Sequence, residues 1–292
     1  MRIIGYGAAV PSWVLTNADV VARTGIDWSP DDIERKTGIR SRHWLEPDRS
    51  TSDLAADAGA RILADAGVAP AEVDALVLCT MTPDHPSPAT APTVARKLGI
   101  RGMAFDLHAT CAGFLYGLEV GAGLVRSGRS RVLVLAAEVR SRSIDPTDPR
   151  TVVLFSDAAA GVVLGAGDGP GTLRSVWTGS EGRENVGVMI PAGGTVRPID
   201  AAALAAGDHY VKVESKRFIF DTYLEFHREA VDRALAAAAV PLDAIALFVT
   251  HQGNANLVVA CGRELGLAPE RVWNNIAVHG NSSGSTLPLA LA

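Results

Sequence analysis

The stretch ARILADAGVAPAEVDALVLCT, residues 60–80, has a counterpart later in the chain, DRALAAAAVPLDAIALFVTH at residues 232–251. Both run from an Ala/Leu-rich helical segment through a proline-containing turn into an apolar run of strand length. The aligned pairs are Arg61 and Arg233, Leu63 and Leu235, and Pro70 and Pro241. A second match, RKLGI (96–100) with RELGL (263–267), follows each copy. The repeated order of helix, turn, strand, loop and helix predicts two similar halves that pack face to face.

The rest of the chain has the alternation that is typical of an α/β protein. Apolar runs of strand length occur at 73–80, 101–109, 130–138 and 245–251, and helical runs occur at 51–68 and 226–240. Because the strand-like runs are apolar throughout, we expect sheets that are covered on both faces.

Composition excludes several classes of protein. A chain of 292 residues that is 48% hydrophobic can bury a large core, and a net charge of −5 without runs of like charge argues against nucleic-acid binding. The N-terminus lacks the pattern of a secretion signal and no apolar run reaches membrane-spanning length, so we expect a cytoplasmic protein without a membrane partner. No cluster of His, Cys, Asp or Glu has zinc-ligand spacing, so we predict no metal.

The three cysteines are too widely spaced for a CxxC pair or a disulfide framework. Cys79 ends a predicted buried strand and Cys261 lies in an amphipathic helical segment, so we expect both to be core residues. Cys111 instead begins the apolar segment CAGFLYGLEVGAGLVRSG (111–128), which we predict to be a buried helix. The N–H groups and dipole at a helix start favour a thiolate, but Cys111 alone is equally compatible with core packing.

Two later segments supply partners for a catalytic cysteine. THQGN (250–254) places His251 at the end of a predicted strand, where side chains often point into clefts, although a structural histidine is the alternative. VHGNSSGS (278–285) places Asn281 in a loop of glycine and small polar residues, where turn formation is the alternative. Together, Cys111, His251 and Asn281 indicate nucleophilic acyl transfer.

Five motifs in order carry a resemblance to a known family. They are TGIRSRHW (37–44), DLHATCAGFLYGL (106–118), TVVLFSDAAAGVVLG (151–165), HQGN (251–254) and HGNSSGSTLPLAL (279–291). They resemble the motifs of β-ketoacyl-acyl-carrier-protein synthase III and its relatives in the thiolase superfamily. The resemblance implies an α/β, thiolase-like, five-layered αβαβα fold built from two similar βαβαβαββ halves, usually as a homodimer.

The resemblance also divides the chain. We expect an N-terminal thiolase-like half at residues 1–168, which carries the nucleophilic cysteine, and a C-terminal half at residues 169–292, which carries the histidine and asparagine. Members of the family continue beyond the point that matches residue 292, so we expect the second half to be incomplete at its C-terminus.

The chemistry follows from the matched positions. Cys111 matches the nucleophile that takes an acyl group from a thioester of coenzyme A or of acyl carrier protein. His251 and Asn281 match the pair that stabilises the enolate formed when a malonyl thioester loses carbon dioxide. The resemblance therefore implies decarboxylative condensation in fatty-acid or specialised polyketide synthesis, with acyl-coenzyme A as a substrate and no tightly bound cofactor.

The binding positions agree with the family only in part. The residues that match cofactor-binding positions are Lys36, Arg150 and Asn254. Asp32, however, stands where the family commonly has a tryptophan that stacks on adenine. Asp221 and Asn256 stand where the family has basic residues for an acidic carrier protein, and their loss should weaken that attraction.

Two alternative functions stay open from the sequence. Cys111 and His251 would also serve an acyltransferase that passes its acyl group to an alcohol, amine or carrier without decarboxylation. Asn281 favours condensation, because enolate stabilisation needs two donors. The third possibility is a catalytically silent thiolase-fold partner subunit.

Overall fold

A five-stranded sheet forms the centre of the protein, and the computed structural model describes residues 1–182, 187–213 and 215–292. The strands are β1 (Arg2–Ala9), β2 (Trp13–Thr16), β3 (Ser41–Trp44), β4 (Ala75–Cys79), β5 (Met103–Leu107), β6 (Arg131–Val139), β7 (Asp157–Gly165), β8 (Val188–Met189) and β9 (Lys212–Val213). The central order is β1-β7-β6-β4-β5, with β4 parallel to β5 and β6, and β7 antiparallel to β6 and β1. The carboxyl ends of β4, β5 and β6 therefore meet at one edge of the sheet.

Helices cover the sheet and build the second part of the chain. They are α1 (Asn17–Thr24), α2 (Pro30–Thr37), α3 (Thr51–Ala66), α4 (Ala91–Leu98), α5 (Gly113–Arg126), α6 (Ala201–Ala205), α7 (Lys216–Ala238), α8 (Ala255–Glu264), α9 (Ile276–His279) and α10 (Thr286–Leu289). Within the described residues, no helix has both the length and the apolarity that a membrane crossing requires.

The two faces of the sheet pack against different helices. Along β6, Leu133, Leu135, Ala137 and Val139 point into the core beneath α3, whereas Val132, Val134 and Ala136 point towards α5. Because every second side chain meets a different helix, the strand is apolar along its length, as the sequence predicted.

Helix α5 lies close against the sheet, but it is less buried than the sequence predicted. A Cβ added at Gly117 would lie 2.5 Å from the Cys79 sulfur, and one added at Gly121 would lie 2.9 Å from Leu164 and from Val134. Glycines therefore let this face approach the strands. Leu115 and Val120, two apolar residues of the segment that predicted a buried helix, are 38% and 36% exposed. That prediction is wrong for the outer face, because α5 packs on the sheet through one side only.

The second copy of the repeat begins like the first and ends differently. Helix α7 leads through a short turn at Leu242–Ala244, as α3 leads through one at Pro70–Glu72 into β4. The predicted strand at 245–251, however, makes a single β-bridge, between Phe248 and Val272. β4 has hydrogen-bonded neighbours on both sides, whereas the described residues give the later segment one neighbour only.

Candidate active site

A tight turn after β5 presents Cys111 at the carboxyl edge of the sheet. Residues Thr110–Ala112 form a 3-10 turn and α5 begins at Gly113, so the cysteine lies just before the helix and not in its first turn. Thr110 has a φ of 48°, which is unusual for a β-branched residue and marks a constrained backbone. Cys111 is exposed, whereas Cys79 and Cys261 are buried, as predicted for core residues.

The loop after α9 brings Ser283 to the cysteine. The Ser283 hydroxyl oxygen lies 3.4 Å from the Cys111 sulfur, although 172 residues separate the two in sequence. Ser283 is 1% exposed, and its φ is 55°. Its N–H donates to the Asn281 side-chain oxygen over 2.9 Å. The serine is therefore held in an unfavourable backbone conformation that directs its hydroxyl at the thiol.

His251 is oriented by a hydroxyl on α10. Its Nδ1 lies 2.6 Å from the Thr286 Oγ1, which in turn donates its only proton to the Ser283 carbonyl over 2.9 Å. Nδ1 must therefore carry a proton and donate it, which leaves Nε2 to exchange protons with the site. A Cβ at Gly253 would lie 2.9 Å from Nε2, so only glycine leaves this nitrogen room.

Asn281 is held through its backbone and its side chain. Its N–H donates to the Leu154 carbonyl and its carbonyl accepts from the Ser156 N–H, each over 2.9 Å. The side-chain Nδ2 donates to the Gly253 carbonyl over 3.2 Å, and the side-chain oxygen is used by Ser283. With its oxygen engaged by Ser283, the amide keeps a second N–H to donate, and its nitrogen lies beside Gly253, as His251 Nε2 does.

The charges around Cys111 favour the thiolate. Enough protein surrounds the thiol that burial by itself would raise its pKa. The positive charge of His251 and a hydrogen-bond interaction with it, the Ser283 hydroxyl and the charge of Arg140 outweigh burial and lower the pKa to about 6. Most molecules at neutral pH therefore carry a nucleophilic sulfur.

A buried carboxyl group and a buried guanidinium lie near Cys111 and affect its charge. Glu138 is 1% exposed, and its carboxylate accepts from the Met81 N–H over 3.3 Å. Burial raises the pKa of Glu138 to about 8, although the charge of Arg140 acts in the opposite direction. Arg140 is 4% exposed, and its guanidinium lies over the Phe155 ring at 5.1 Å from the centroid.

The predicted cofactor-binding residues fall into two contact groups. The Lys36 carbonyl accepts from the Asn254 side chain over 3.2 Å, and the Lys36 ammonium lies 3.7 Å from the centre of the Trp28 ring. Arg150 instead forms a two-point ion pair with Asp148 and donates to the Val213 carbonyl. The structure thus joins Lys36 to Asn254 and gives Arg150 different partners.

The three departures from the family pattern have local partners. Asp32 caps α2 through Ser29, and hydrogen bonds from Ser29 and Arg35 lower its pKa to about 2, so it is a fixed negative charge. Asp221 pairs with Arg217 one helical turn away, at 3.5 Å. Asn256 donates to the Lys36 carbonyl over 3.4 Å.

Four site residues escaped the sequence analysis: Ser283, Thr286, Glu138 and Arg140. The two charged residues stand at the end of a strand that is otherwise apolar, and this contrast could have singled them out. Ser283 and Thr286 gave no such signal, because small polar residues fill the whole loop.

Comparison with known proteins agrees with this geometry. Residues 105–182 match the profile of the 3-oxoacyl-[acyl-carrier-protein] synthase III family, and residues 235–292 match that of its C-terminal domain. A 3-oxopimeloyl-[acyl-carrier-protein] synthase from Rhodothermus marinus is 41% identical over 99% of this chain and 84% of its own. The beta-ketoacyl-[acyl-carrier-protein] synthase III 3 of Streptomyces coelicolor is also 41% identical, over 99% of this chain and 87% of its own.

A solved structure extends the similarity to the fold. A crystal structure of a 3-oxoacyl-(acyl-carrier-protein) synthase III superposes with a TM-score of 0.91 at 30% identity, covering 99% of this chain and 89% of that one. This match confirms the predicted thiolase-like α/β fold, and the named relatives confirm that the chain is an enzyme of the transferase type. The chain therefore belongs to the 3-oxoacyl-[acyl-carrier-protein] synthase III family.

Proposed function

We propose that Cys111 accepts an acyl group from an acyl thioester and that the acyl-enzyme then condenses with a malonyl thioester. The observation that carries the proposal is the contact of Cys111 with Ser283, which lies in the same hydrogen-bonded loop as Asn281 and shares Thr286 with His251. These contacts link the proposed nucleophile, a histidine and an amide donor, which come from distant parts of the sequence.

The first half-reaction is acyl transfer to sulfur. The thiol proton passes to Nε2 of His251, because Nδ1 already holds its proton against Thr286. The thiolate attacks the thioester carbonyl, and the leaving thiolate departs and takes a proton from solvent. Cys111 then holds the acyl group as a thioester, and the imidazolium retains a proton on Nε2.

In the second half-reaction, the protonated Nε2 of His251 acts as a hydrogen-bond donor. The bond between the malonyl carboxylate and its α-carbon breaks, carbon dioxide leaves, and the electron pair forms an enolate. His251 Nε2–H and the Asn281 amide donate to the enolate oxygen, where each such donor contributes roughly 3 kcal/mol in comparable sites. The α-carbon attacks the acyl carbonyl, the bond to sulfur breaks, and the thiolate of Cys111 is restored.

Intact-protein mass spectrometry tests both half-reactions. Wild type and Cys111→Ala are incubated with a panel of acyl-coenzyme A thioesters, and malonyl-carrier protein is then added. We expect an acyl adduct on wild type only, which is discharged with release of carbon dioxide. An adduct that survives malonyl-carrier protein would support transfer without decarboxylation, which the synthase names of the relatives do not favour. The absence of any adduct would support a silent subunit.

Two of the three predicted binding residues lie together at the edge of the proposed site. Lys36 and Asn254 are joined at the edge of the HQGN loop, and this favours them over Arg150 as the contacts of a coenzyme A or carrier arm. The Asp221–Arg217 pair leaves no net positive charge at that position, so we expect weak docking of an acidic carrier protein.

We also assign the homodimer interface to β5. This strand is at the edge of the central sheet, and Met103 at its start is 41% exposed. An edge strand offers unpaired N–H and C=O groups to a second strand, and a two-fold axis beside β5 would pair it with its own copy. Light scattering of the purified protein tests this proposal, with Phe105→Pro expected to shift dimer to monomer.

A further inference from the structure

Arg140 is a buried cation whose surroundings do not satisfy it. Its side chain belongs to a residue that is 4% exposed, and its Nε has no hydrogen-bond partner among the described residues. A buried guanidinium normally pairs with a carboxylate, because desolvation of an unpaired charge is costly. The face of the Phe155 ring, 5.1 Å from the guanidinium carbon, holds the group in place without accepting a conventional hydrogen bond.

Arg140 lies at the same edge of the central sheet as Cys111, because each follows the carboxyl end of its strand, β6 or β5, and both strands run parallel to β4. On β6, Val132, Val134 and Ala136 face α5, Glu138 is the next residue of this alternating row within the strand, and Arg140 begins the 3-10 turn that follows the strand. Cys111 lies just before α5. The positive charge of Arg140 stabilises the Cys111 thiolate and so helps to lower the pKa of the thiol.

Glu138 is the nearest candidate in sequence for a counter-ion of Arg140, but its carboxylate is bonded to other groups. Its carboxylate already accepts from the Met81 N–H and the Thr82 hydroxyl, and no hydrogen bond to Arg140 occurs within the described residues. Burial raises the pKa of Glu138 to about 8, so at neutral pH the carboxyl group is largely protonated. Within the described residues, Arg140 therefore lacks a carboxylate that accepts its hydrogen bonds.

We infer that Arg140 binds the free carboxylate of an acyl group whose other end is attached to Cys111, so that the donor is an ω-carboxyacyl thioester. This inference rests on the proposed acylation of Cys111. A carboxylate matches the planar guanidinium and would give the unpartnered edge two charge-assisted hydrogen bonds. Because β4 separates β6 from β5, Arg140 and Cys111 follow strands that lie two strand spacings apart, roughly 10 Å, which suits an acyl chain of a few methylenes.

Matched pairs of donors test the inference. The probes are succinyl- and glutaryl-coenzyme A, each compared with the alkyl thioester of equal chain length, butanoyl- or pentanoyl-coenzyme A. The readout is the initial rate of adduct formation on Cys111 by intact-protein mass spectrometry, at a pH well above the thiol pKa. We expect wild type to react at least tenfold faster with one of the carboxyacyl donors, since hydrogen bonds to a charged group typically correspond to about 10- to 100-fold.

Two variants separate carboxylate binding from thiolate activation. Arg140→Met should slow the preferred carboxyacyl donor about 100-fold, and it should slow the alkyl donor only as far as the weaker activation of the thiol requires. Arg140→Lys should retain part of the preference, because it keeps the charge but loses the two-point geometry.

Equal wild-type rates for the two kinds of donor would overturn the inference, whatever the variants do. Equal slowing of both donors by Arg140→Met would also overturn it and leave Arg140 as an activator of the thiolate. Failure of the proposed function is a different result, namely that no thioester forms an adduct on wild type or that Cys111→Ala forms the same adduct.

Discussion

Cys79 and Cys111 flank the start of α5, yet their thiols have opposite character. Cys79 ends β4 beneath Gly113 and Gly117, and burial raises its pKa to about 12. Burial acts in the same direction on Cys111, but His251, Ser283 and Arg140 reverse it and lower the pKa to about 6. His251 and Ser283 come from the second part of the chain. The contact between the two parts, more than the position beside the helix, therefore gives the two thiols opposite pKa shifts.

The largest expected effect separates the two thiols directly. Cys111→Ala should abolish the acyl adduct, because no other described thiol is exposed. Cys79→Ala should keep the adduct and lower the free energy of unfolding by about 1 kcal/mol, the cost of a small cavity. Mass spectrometry measures the first effect and urea denaturation the second. An adduct on Cys111→Ala would place the nucleophile elsewhere.

His251→Ala should reduce the difference in pKa between the Cys79 and Cys111 thiols. Without the imidazolium, the pKa of Cys111 should return towards the ordinary value for cysteine, about 8.5, so that the thiol reacts only at higher pH. We expect alkylation by iodoacetamide at pH 6.5 to slow by about 100-fold, and the midpoint of the pH profile to rise from near 6.

His108→Ala is the matched control for this experiment, because His108 is an exposed histidine three residues before the cysteine. It should leave the midpoint unchanged. An unchanged midpoint in His251→Ala would instead attribute the low pKa to Ser283 and Arg140.

The packing around Cys79 predicts a third effect. Gly117→Ala would place a Cβ 2.5 Å from the Cys79 sulfur, and such overpacking should destabilise the protein by roughly 1–3 kcal/mol. Gly123→Ala, on the same helix with no atom within 4 Å of its added Cβ, should instead stabilise it by about 0.5–1 kcal/mol. Urea denaturation compares them, and equal effects would mean that α5 does not rest on the sheet through Gly117.

The sequence predicted the parts of the fold that depend on local pattern. The strands at 73–80, 101–109 and 130–138 and the helix at 51–68 appear with ends shifted by a few residues. The segment 245–251 has the same apolar pattern as 73–80, yet it makes only one bridge. Apolar pattern shows that a segment is suited to a sheet, but strand formation also needs a continuous hydrogen-bonded ladder with at least one neighbouring strand.

The candidate site was predictable where residue type implies chemistry. Cys111, His251 and Asn281 could be singled out because thiol, imidazole and amide groups have recognisable chemical roles. The structure links the three residues through one hydrogen-bond network. Ser283 could not be singled out. Its contribution depends on a φ of 55° and on a contact across 172 residues, and neither is encoded in local sequence.

Ser283→Ala should therefore give the smallest of the four effects, but the most specific one. Loss of the hydroxyl removes one donor to the sulfur, and we expect the pKa of Cys111 to rise by less than in His251→Ala, with alkylation at pH 6.5 slowed about threefold to tenfold. Alanine meets the same backbone strain as serine at this φ, so the free energy of unfolding should change little. Ser282→Ala is the matched control, because the neighbouring hydroxyl is buried and has no hydrogen-bond partner among the described residues. If both serine variants leave the pH profile unchanged, the activation of Cys111 depends on charge alone, and His251 and Arg140 must account for the whole difference from Cys79.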